Sequence, residues 1–300
     1  MRKQIKNLAP LINEQSRKFM TKSNFSALLW ILTIYILVAS ANATPANKSQ
    51  EYDVRQPQGT GIQKPAQEIV IMTDDELKKL AENHSANCNA APDPAKVQYI
   101  IGYGSLMQDE SRQRTTPNAN ISYPVKVNGY QRGWFTKGSG VGFSTTFLGV
   151  VQRKESALNA AIYTIDVTEI TTMDKREFSY CRLAVGPENY SLLKQNIPLL
   201  PGQAWIYVNK PDTIATANGR YPIVQSYVDI FLSGCLELEQ RFELKDFAKQ
   251  CLGTTSNWST QWINDRVYPR RPFIYQPKAG KIDQLLNEHL PQYFQHIHIE

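Results

Sequence analysis

The chain has 300 residues, of which 42% are apolar and 10% aromatic, enough for a packed core of enzyme size. Its formal charge of +6 would favour nucleic acid or anionic lipid as a partner only if the charge were spread over the fold. Six of the 33 basic residues but only one of the 27 acidic residues lie in residues 1–43, so the remainder has 27 basic and 26 acidic residues. This balance excludes a broad basic surface, and no nucleic-acid partner is predicted.

The basic start of the chain leads into an apolar run at about residues 27–39, followed by the small residues Ala-Asn-Ala at 41–43. This order is typical of a signal peptide with its cleavage site. Residues 1–43 are therefore predicted to direct export, to the periplasm or outside the cell depending on the cell plan, without stable membrane insertion after cleavage. An uncleaved anchor is the alternative, although the run is shorter than the roughly 20 residues of a membrane-spanning helix. The start is either Met1 or Met20.

Residues 44–95 are predicted to form a flexible linker with one short helix. Up to about residue 70 the composition is rich in Pro, Gly, Gln and Asn and has no apolar period. In the following TDDELKKLAENHS, Thr73 and Glu76 have the spacing of a capping box, and Leu77 and Ala81 share one helical face.

The main domain is predicted at residues 96–252 and begins with strands. Short apolar runs bounded by Gly, Pro and Asn are typical of strands, and they occur at VQYIIGY, YPVKVNGYQRGW, TTFLGVVQR, NAAIYTIDV, SYCRLAV and GQAWIYV. Helices are predicted at TEITTMDKREF, QSYVDIFLSGCLELEQRF and ELKDFAKQCL. Strands first and helices mostly later indicate the α+β class with a small antiparallel or mixed sheet.

Residues 253–300 are predicted to form an irregular arm with Trp258 and Trp262, and then a closing helix at KIDQLLNEHL that packs on the domain. Arg270 and Arg271 lie in this arm. They either bind an acidic part of a ligand or form a solvated basic surface.

Four cysteines are present, and an exported protein could pair them in three ways or leave them unpaired. Cys235 and Cys251 could join two consecutive predicted helices. The sequence has no CxxC and no HExxH motif, and the HxH at His296 and His298 is a weak pattern at a chain end. No metal and no other cofactor is predicted.

Common catalytic motifs fail in this sequence. Ser105 lacks the glycines of a GxSxG nucleophile elbow, and GSGVG at 138–142 lacks the last glycine of GxGxxG and precedes a strand. Two other features remain: the loop YGSL after the first strand, whose successive N–H groups can form an anion-binding nest, and Glu177 in MDKREFSY, between a helix and a strand. Taken singly, an ordinary turn and a solvated charge run would also explain them.

In this order the motifs resemble the γ-glutamylcyclotransferase-like superfamily, which includes the glutathione-acting ChaC branch and plant and bacterial relatives. YIIGYGSL is similar to its strand and YGSL loop, and GYQRGWF, TTFLGVV and NAAIYTIDV are similar to its RGW, LG and NGVxYxV blocks. MDKREFSYCRLAV is similar to its LDxREGxYxRxxV block, and PIVQSYVDIFLSGCL looks like its closing Pro…SY helix. The resemblance covers roughly Val97 to Leu252.

The resemblance implies a small, mixed, mostly antiparallel, β-barrel-like sheet flanked by helices. It also implies an enzyme that releases 5-oxoproline from a small γ-glutamyl amine or peptide without a cofactor. Glu177 matches the family's catalytic glutamate, and the residues that match its substrate-binding positions are Tyr103, Gly104, Ser105, Leu106 and Tyr180.

The sequence departs from the family pattern at three positions. Phe178 and Ser179 stand where many members have glycine, and Ala160 replaces the glycine of NGV. Phe178 is expected to narrow the space beside Glu177. The alternative functions are a non-catalytic exported ligand-binding or interaction protein on the same fold and another amide or ester cleavage in the same pocket. The oligomeric state stays open.

Overall fold

The computed structural model describes residues 69–82, 87–119, 121–138, 144–197, 199–271 and 276–300. All of these residues belong to one unit of the chain. The predicted signal peptide and the linker up to residue 68 lie outside the described residues. In the described ranges, no helix combines the length and the apolar character that a membrane crossing requires.

The elements alternate between strands and short helices in the first half of the chain, and longer helices follow. The helices are α1 (Asp74–Glu82), α2 (Asp109–Gln113), α3 (Ile170–Arg176), α4 (Gln225–Arg241), α5 (Phe247–Gly253), α6 (Ala279–His289) and α7 (Pro291–Phe294). The strands are β1 (Val97–Gly102), β2 (Tyr123–Lys137), β3 (Thr146–Ile165), β4 (Tyr180–Val185), β5 (Tyr190–Leu192), β6 (Gly202–Asn209), β7 (Ile223–Val224), β8 (Thr255–Ser256), β9 (Trp262–Asn264) and β10 (His298–Ile299).

The main sheet is mixed and mostly antiparallel, with the order β4-β6-β1-β3-β2-β5 and with β8 added beside β2. In its centre, β1 pairs antiparallel with β3 and parallel with β6. Helices flank this sheet, so the predicted α+β class is confirmed. The terminal strands β4 and β5 do not pair in the described part of the chain, and the sheet is therefore open and not a closed barrel.

The hairpin of β2 and β3 is longer than the sequence predicted. The runs TTFLGVVQR and NAAIYTIDV belong to one strand, because β3 continues through the polar residues between them. The pairing register shifts between Asn128 and Tyr130, and Gly129 at this point has a φ of +81°. A glycine accepts this left-handed conformation, so the irregularity stays within the ladder and does not end it.

Helix α1 forms where the capping-box spacing predicted it. The Thr73 N–H donates to the Glu76 carboxylate at 2.7 Å, and the Glu76 N–H donates to the Thr73 hydroxyl at 3.3 Å. Leu77 and Ala81 are buried against a small cluster that includes Phe135 of β2. The reciprocal cap and this apolar face together explain why the helix begins at Asp74.

Helix α4 forms the centre of the largest apolar cluster. The C-terminal elements pack on it through Trp258, Trp262, Ile282 and Leu286, and the two indole rings stack with centroids 5.2 Å apart. A disulfide between Cys235 and Cys251 joins α4 to α5, and a second links Cys88 to Cys181 of β4. The segment after residue 252 is thus tied to the domain by packing on α4.

Arg132, in the GYQRGWF stretch of β2, is fully buried and carries a hydrogen-bond network between strands and helices. Its guanidinium lies 4.7 Å from the ring centroid of Phe231 in α4. It donates to six oxygens at 2.8–3.1 Å: Tyr103 O, Asn159 O, Asn159 Oδ1, Cys251 O, Thr254 Oγ1 and Thr255 Oγ1. Burial lowers the pKa of Arg132 to about 9, still above neutral pH, so the group stays charged.

Replacing this guanidinium should strongly destabilise the fold. In Arg132→Met, the buried main-chain carbonyls of Tyr103 and Asn159 lose the guanidinium as donor, whereas the Cys251 carbonyl keeps the Thr255 hydroxyl. Each buried polar group left unsatisfied costs about 1–3 kcal/mol. We expect the free energy of unfolding, measured by urea denaturation with the disulfides intact, to fall by at least about 3 kcal/mol. Arg114→Gln, on an exposed ion pair with Glu110, is the control and should change it by about 0.5 kcal/mol or less. Similar losses in the two variants would contradict the role of Arg132.

Candidate active site

The loop after β1 makes a tight turn that only small residues allow. A Cβ atom on Gly102 would lie 2.7 Å from the Leu106 Cβ, and one on Gly104 would lie 3.0 Å from the Tyr227 hydroxyl. Residues Ser105–Met107 then form a short 3₁₀ turn, closed by a 3.0 Å hydrogen bond from the Met107 N–H to the Gly104 carbonyl. Gly102 therefore lets the loop fold back closely on itself, and Gly104 lets it approach Tyr227 of α4.

Glu177 follows directly after helix α3, which is anchored in the core by Ile170 and Met173. Its N–H donates to the Met173 carbonyl at 2.9 Å, and its own carbonyl accepts from the Tyr180 N–H at 2.8 Å. These bonds hold Glu177 in a turn between α3 and β4. The carboxylate is only 16% exposed.

Glu177 and the loop line one cavity of about 260 Å³. The walls come from the loop, the hairpin, the α3–β4 turn, α4 and the C-terminal arm: Ser105, Thr136, Lys137, Gly138, Phe147, Arg176, Glu177, Phe178, Ser179, Tyr180, Tyr227 and Arg271. Ligand pockets commonly measure about 300–1,000 Å³. This volume suits a small molecule.

A second hollow of about 30 Å³ adjoins the first and is lined by Gly104, Ser105 and Leu106 of the loop and again by Glu177. Ser105, Glu177, Tyr180 and Tyr227 border both spaces. Residues far apart in the sequence, the YGSL loop and Glu177, therefore face a common space.

Arg176 connects the carboxylate to the loop. Its Nε lies 3.0 Å from Glu177 Oε1, and its Nη2 donates to the Ser105 hydroxyl at 3.5 Å. Further bonds run from Nη1 to the Thr115 hydroxyl at 2.6 Å and to the Ser111 carbonyl at 3.2 Å. These contacts fix the guanidinium of Arg176, which holds the Glu177 carboxylate towards Ser105.

Burial raises the pKa of the Glu177 carboxyl above its ordinary value, while the cations of Arg176 and Arg271 act in the opposite direction. A carboxyl group with a raised pKa can both accept and return a proton near neutral pH, which is the behaviour of a general acid–base group.

Tyr103, Tyr180 and Tyr227 line the smaller hollow, and Tyr180 and Tyr227 also line the larger cavity. All three remain neutral, since burial raises the pKa of each hydroxyl. The Tyr103 hydroxyl donates to the Tyr207 carbonyl at 2.7 Å, and the Tyr180 hydroxyl donates to the Leu148 carbonyl at 2.9 Å. The predicted binding residues Tyr103 and Tyr180 thus support the cavity wall through their hydroxyls.

The residues that depart from the family pattern lie in different parts of the structure. Phe178 lines the cavity with its side chain 62% exposed, so it stands at the rim beside Glu177. Ala160 is buried in β3 opposite Val125 and does not line either space. That Phe178 restricts substrate size stays a prediction.

Sequence reasoning missed Tyr227 and Arg176 as cavity residues. Tyr227 belongs to the Pro…SY stretch that carries part of the resemblance, and this is the signal that could have found it. Arg176 directly precedes Glu177 in the charged stretch MDKREFSY, where a solvated charge run is the alternative explanation. In the described part of the chain, no three His, Cys, Asp or Glu side chains come together as metal ligands would.

No family model matches the sequence, and the search of curated proteins finds no match. Among solved structures, the chain is similar to a γ-glutamyl cyclotransferase with 12% identity and a TM-score of 0.41, covering 55% of this chain and 92% of that one. It is also similar to a glutathione-specific γ-glutamyl cyclotransferase from yeast, with 12% identity, a TM-score of 0.35 and coverage of 53% and 95%.

An uncharacterized human protein is a third similar structure, with 12% identity, a TM-score of 0.40 and coverage of 54% of this chain and 90% of that one. Two of these three structural neighbours are described as γ-glutamyl cyclotransferases. Identities of 12% and TM-scores below 0.5 do not carry an activity from those proteins to this chain. The function has to be inferred from the chemistry of the cavity.

The raised pKa of Glu177 predicts a pH-dependent gain in stability for Glu177→Gln. The folded protein holds this proton more tightly than the unfolded chain, so ionising Glu177 costs stability as pH rises above the unfolded value of about 4.3. We expect the difference in free energy of unfolding between Glu177→Gln and the wild type to become more positive from pH 4 to pH 8 in urea titrations.

Ser105→Ala is the control for this trend, because it alters the same cavity without removing a titratable group. The difference in free energy of unfolding between Ser105→Ala and the wild type should not change over that pH range. A Glu177→Gln difference that stays constant or falls with pH would contradict the raised pKa.

Proposed function

We propose that the protein is an exported γ-glutamylcyclotransferase that releases 5-oxoproline from a small γ-glutamyl amine or peptide. The observation that carries the proposal is the common cavity of Glu177 and the Gly104–Leu106 loop. Glu177 and Ser105 of the loop also line the larger cavity.

A γ-glutamyl substrate contains its own nucleophile. The α-amine attacks the γ-carbonyl carbon and closes a five-membered lactam, and the bond from that carbon to the leaving nitrogen breaks. The amine loses a proton and the leaving nitrogen gains one, so the products are 5-oxoproline and a free amine, without consumption of water. Oriented intramolecular attack is worth effective molarities on the order of 10⁵–10⁸ M, so the protein needs no nucleophile of its own.

The protein must supply proton transfer, because an α-amine with a pKa of roughly 8 is mostly protonated at neutral pH and cannot attack. Glu177 takes this proton as general base and returns a proton to the leaving nitrogen as general acid. The raised pKa of its buried carboxyl supports this double role.

The loop is proposed to act through its backbone. The N–H groups around Gly104, Ser105 and Leu106 hold the substrate carboxylate or the oxyanion that develops on the γ-carbonyl oxygen. Gly104 supports this role, because a side chain there would meet the Tyr227 hydroxyl at 3.0 Å. The neutral tyrosines enclose the reacting centre and limit the access of water.

Glu177→Gln should reduce the release of 5-oxoproline about 100- to 10,000-fold, the usual contribution of a general acid–base group. The amide keeps the size of the side chain but cannot accept the proton. Ser105→Ala is the matched variant and should lose less than about 10-fold, since the loop acts through its amides. Turnover is measured by chromatography of 5-oxoproline over a panel of γ-glutamyl amino acids, γ-glutamyl amines and glutathione.

Unchanged turnover in Glu177→Gln would contradict the role of this residue. Complete loss in a folded Ser105→Ala would instead point to a serine nucleophile. If the wild type releases no 5-oxoproline from any member of the panel, a non-catalytic ligand-binding protein on this fold becomes the better proposal.

Export is proposed from the basic start, the apolar run and the small residues at 41–43. Expression of the full chain in a bacterial host should give an exported protein whose mass corresponds to a chain that begins at Thr44. Ala43→Tyr should block this cleavage, because the residue before the cut must be small. An uncleaved wild-type chain that stays in the cytoplasm would contradict export.

A further inference from the structure

Arg271 lines the cavity although it lies outside the part of the sequence that resembles the family. The motifs that carry the resemblance end near Leu252, whereas Arg271 belongs to the C-terminal arm. Its side chain nevertheless lines the same space as Glu177. The guanidinium of the neighbouring Arg270 pairs with Glu300 and donates to the Ser144 carbonyl, and Arg270 does not line this space.

The arm is held to the start of α4 by hydrogen bonds to a buried carboxylate of its own. Asp265, which is 1% exposed, accepts from the Ser226 N–H at 2.7 Å and from the Ser226 hydroxyl at 2.6 Å. The same carboxylate accepts from the Arg270 N–H at 2.7 Å, and the Ser226 hydroxyl accepts from the Arg271 N–H at 3.2 Å. The backbone at Arg271 is therefore fixed to α4.

The guanidinium of Arg271 is also held against aromatic rings. Its Cζ lies 4.9 Å from the ring centroid of Phe147 and 5.8 Å from that of Tyr227. The two rings meet edge to face with centroids 5.0 Å apart. Contact with the aromatic rings keeps the planar guanidinium in a defined position. The flexible side chain of a lysine would not be held in this way.

The charge of the cavity wall is unbalanced. The lining includes three basic side chains, Lys137, Arg176 and Arg271, and one carboxylate, Glu177. With all four ionised, it carries two more positive than negative charges. Arg176 forms an ion pair with Glu177 and donates hydrogen bonds to the Thr115 hydroxyl and the Ser111 carbonyl, so it holds the Glu177 carboxylate in place. A substrate that carries a negative charge beyond its γ-glutamyl half complements this wall better than a neutral one does.

We propose that Arg271 binds a carboxylate in the leaving portion of the substrate, so that the protein prefers γ-glutamyl amino acids or peptides over γ-glutamyl derivatives of simple amines. The inference rests on the proposed function and specifies its substrate class. The guanidinium offers two parallel N–H donors to a carboxylate, the geometry that makes arginine suited to this group.

The test compares γ-glutamyl-alanine with γ-glutamyl-alaninamide, which differ only in the carboxylate of the leaving portion. The wild type should show a kcat/KM about 10- to 100-fold higher for the acid, the size expected for a hydrogen bond between charged groups. Arg271→Gln should lose this preference by lowering kcat/KM for the acid alone, and Arg271→Lys should keep part of it. Retained turnover of the amide shows that the variant is folded.

Arg270→Gln is the matched control and should keep the wild-type preference. The comparison is made on the alkaline plateau of the pH profile, because loss of the Arg271 cation raises the pKa of Glu177 and would otherwise change the ionised fraction. Equal loss for both substrates in Arg271→Gln would overturn the inference, and so would a wild type that does not distinguish them.

Binding separates this inference from the reaction. Calorimetric titration of the two compounds into Glu177→Gln, with and without Arg271→Gln, measures the preference without turnover. A tighter binding of the acid that depends on Arg271 supports the inference even if no 5-oxoproline is released. Release of 5-oxoproline without any such difference in affinity or in kcat/KM supports the proposed function and overturns the assignment of Arg271.

Discussion

Arg132 places a positive charge inside the core, and the six hydrogen bonds described for it all go to uncharged oxygens. A buried cation is costly unless its donors are satisfied, so the parts of the chain that supply the oxygens must meet around it. One of these oxygens is the Tyr103 carbonyl at the start of the loop after β1, and another, the Cys251 carbonyl, belongs to the end of α5. The position of the loop is thus coupled to the packing of α4 and α5. A change in that packing reaches the cavity through Arg132.

The site itself shows a conflict between stability and chemistry. Burial next to three tyrosines makes the ionised form of Glu177 unfavourable, and Arg176 and Arg271 recover part of this cost. A more exposed carboxylate would cost less stability on folding, but it would hold its proton less tightly and serve less well as the acid of the proposed reaction. The two arginines differ, since Arg176 contacts the carboxylate directly and Arg271 lines the same cavity.

The sequence predicted the local elements because their signals are local. Apolar runs and glycines located β1 and its loop, and the capping-box spacing located α1. The open sheet, the continuous β3 and the pairing of Cys88 with Cys181 depend on contacts between distant residues, and no short pattern encodes them. The same holds for Arg271. It enters the cavity because Asp265 and Ser226 fix the arm to α4, and the sequence left it as either a ligand-binding residue or part of a solvated arm.

The central claim is that Glu177 and the loop act on one γ-glutamyl group. A crystal structure of the Glu177→Gln variant with γ-glutamyl-alanine tests this most directly, because the slow variant should retain the uncyclised compound. We expect the α-nitrogen within about 3 Å of the side chain at position 177, the γ-glutamyl carboxylate or carbonyl oxygen against the amides of Gly104–Leu106, and the alanine carboxylate towards Arg271. A ligand bound with its α-nitrogen away from position 177, or bound outside this cavity, would contradict the account.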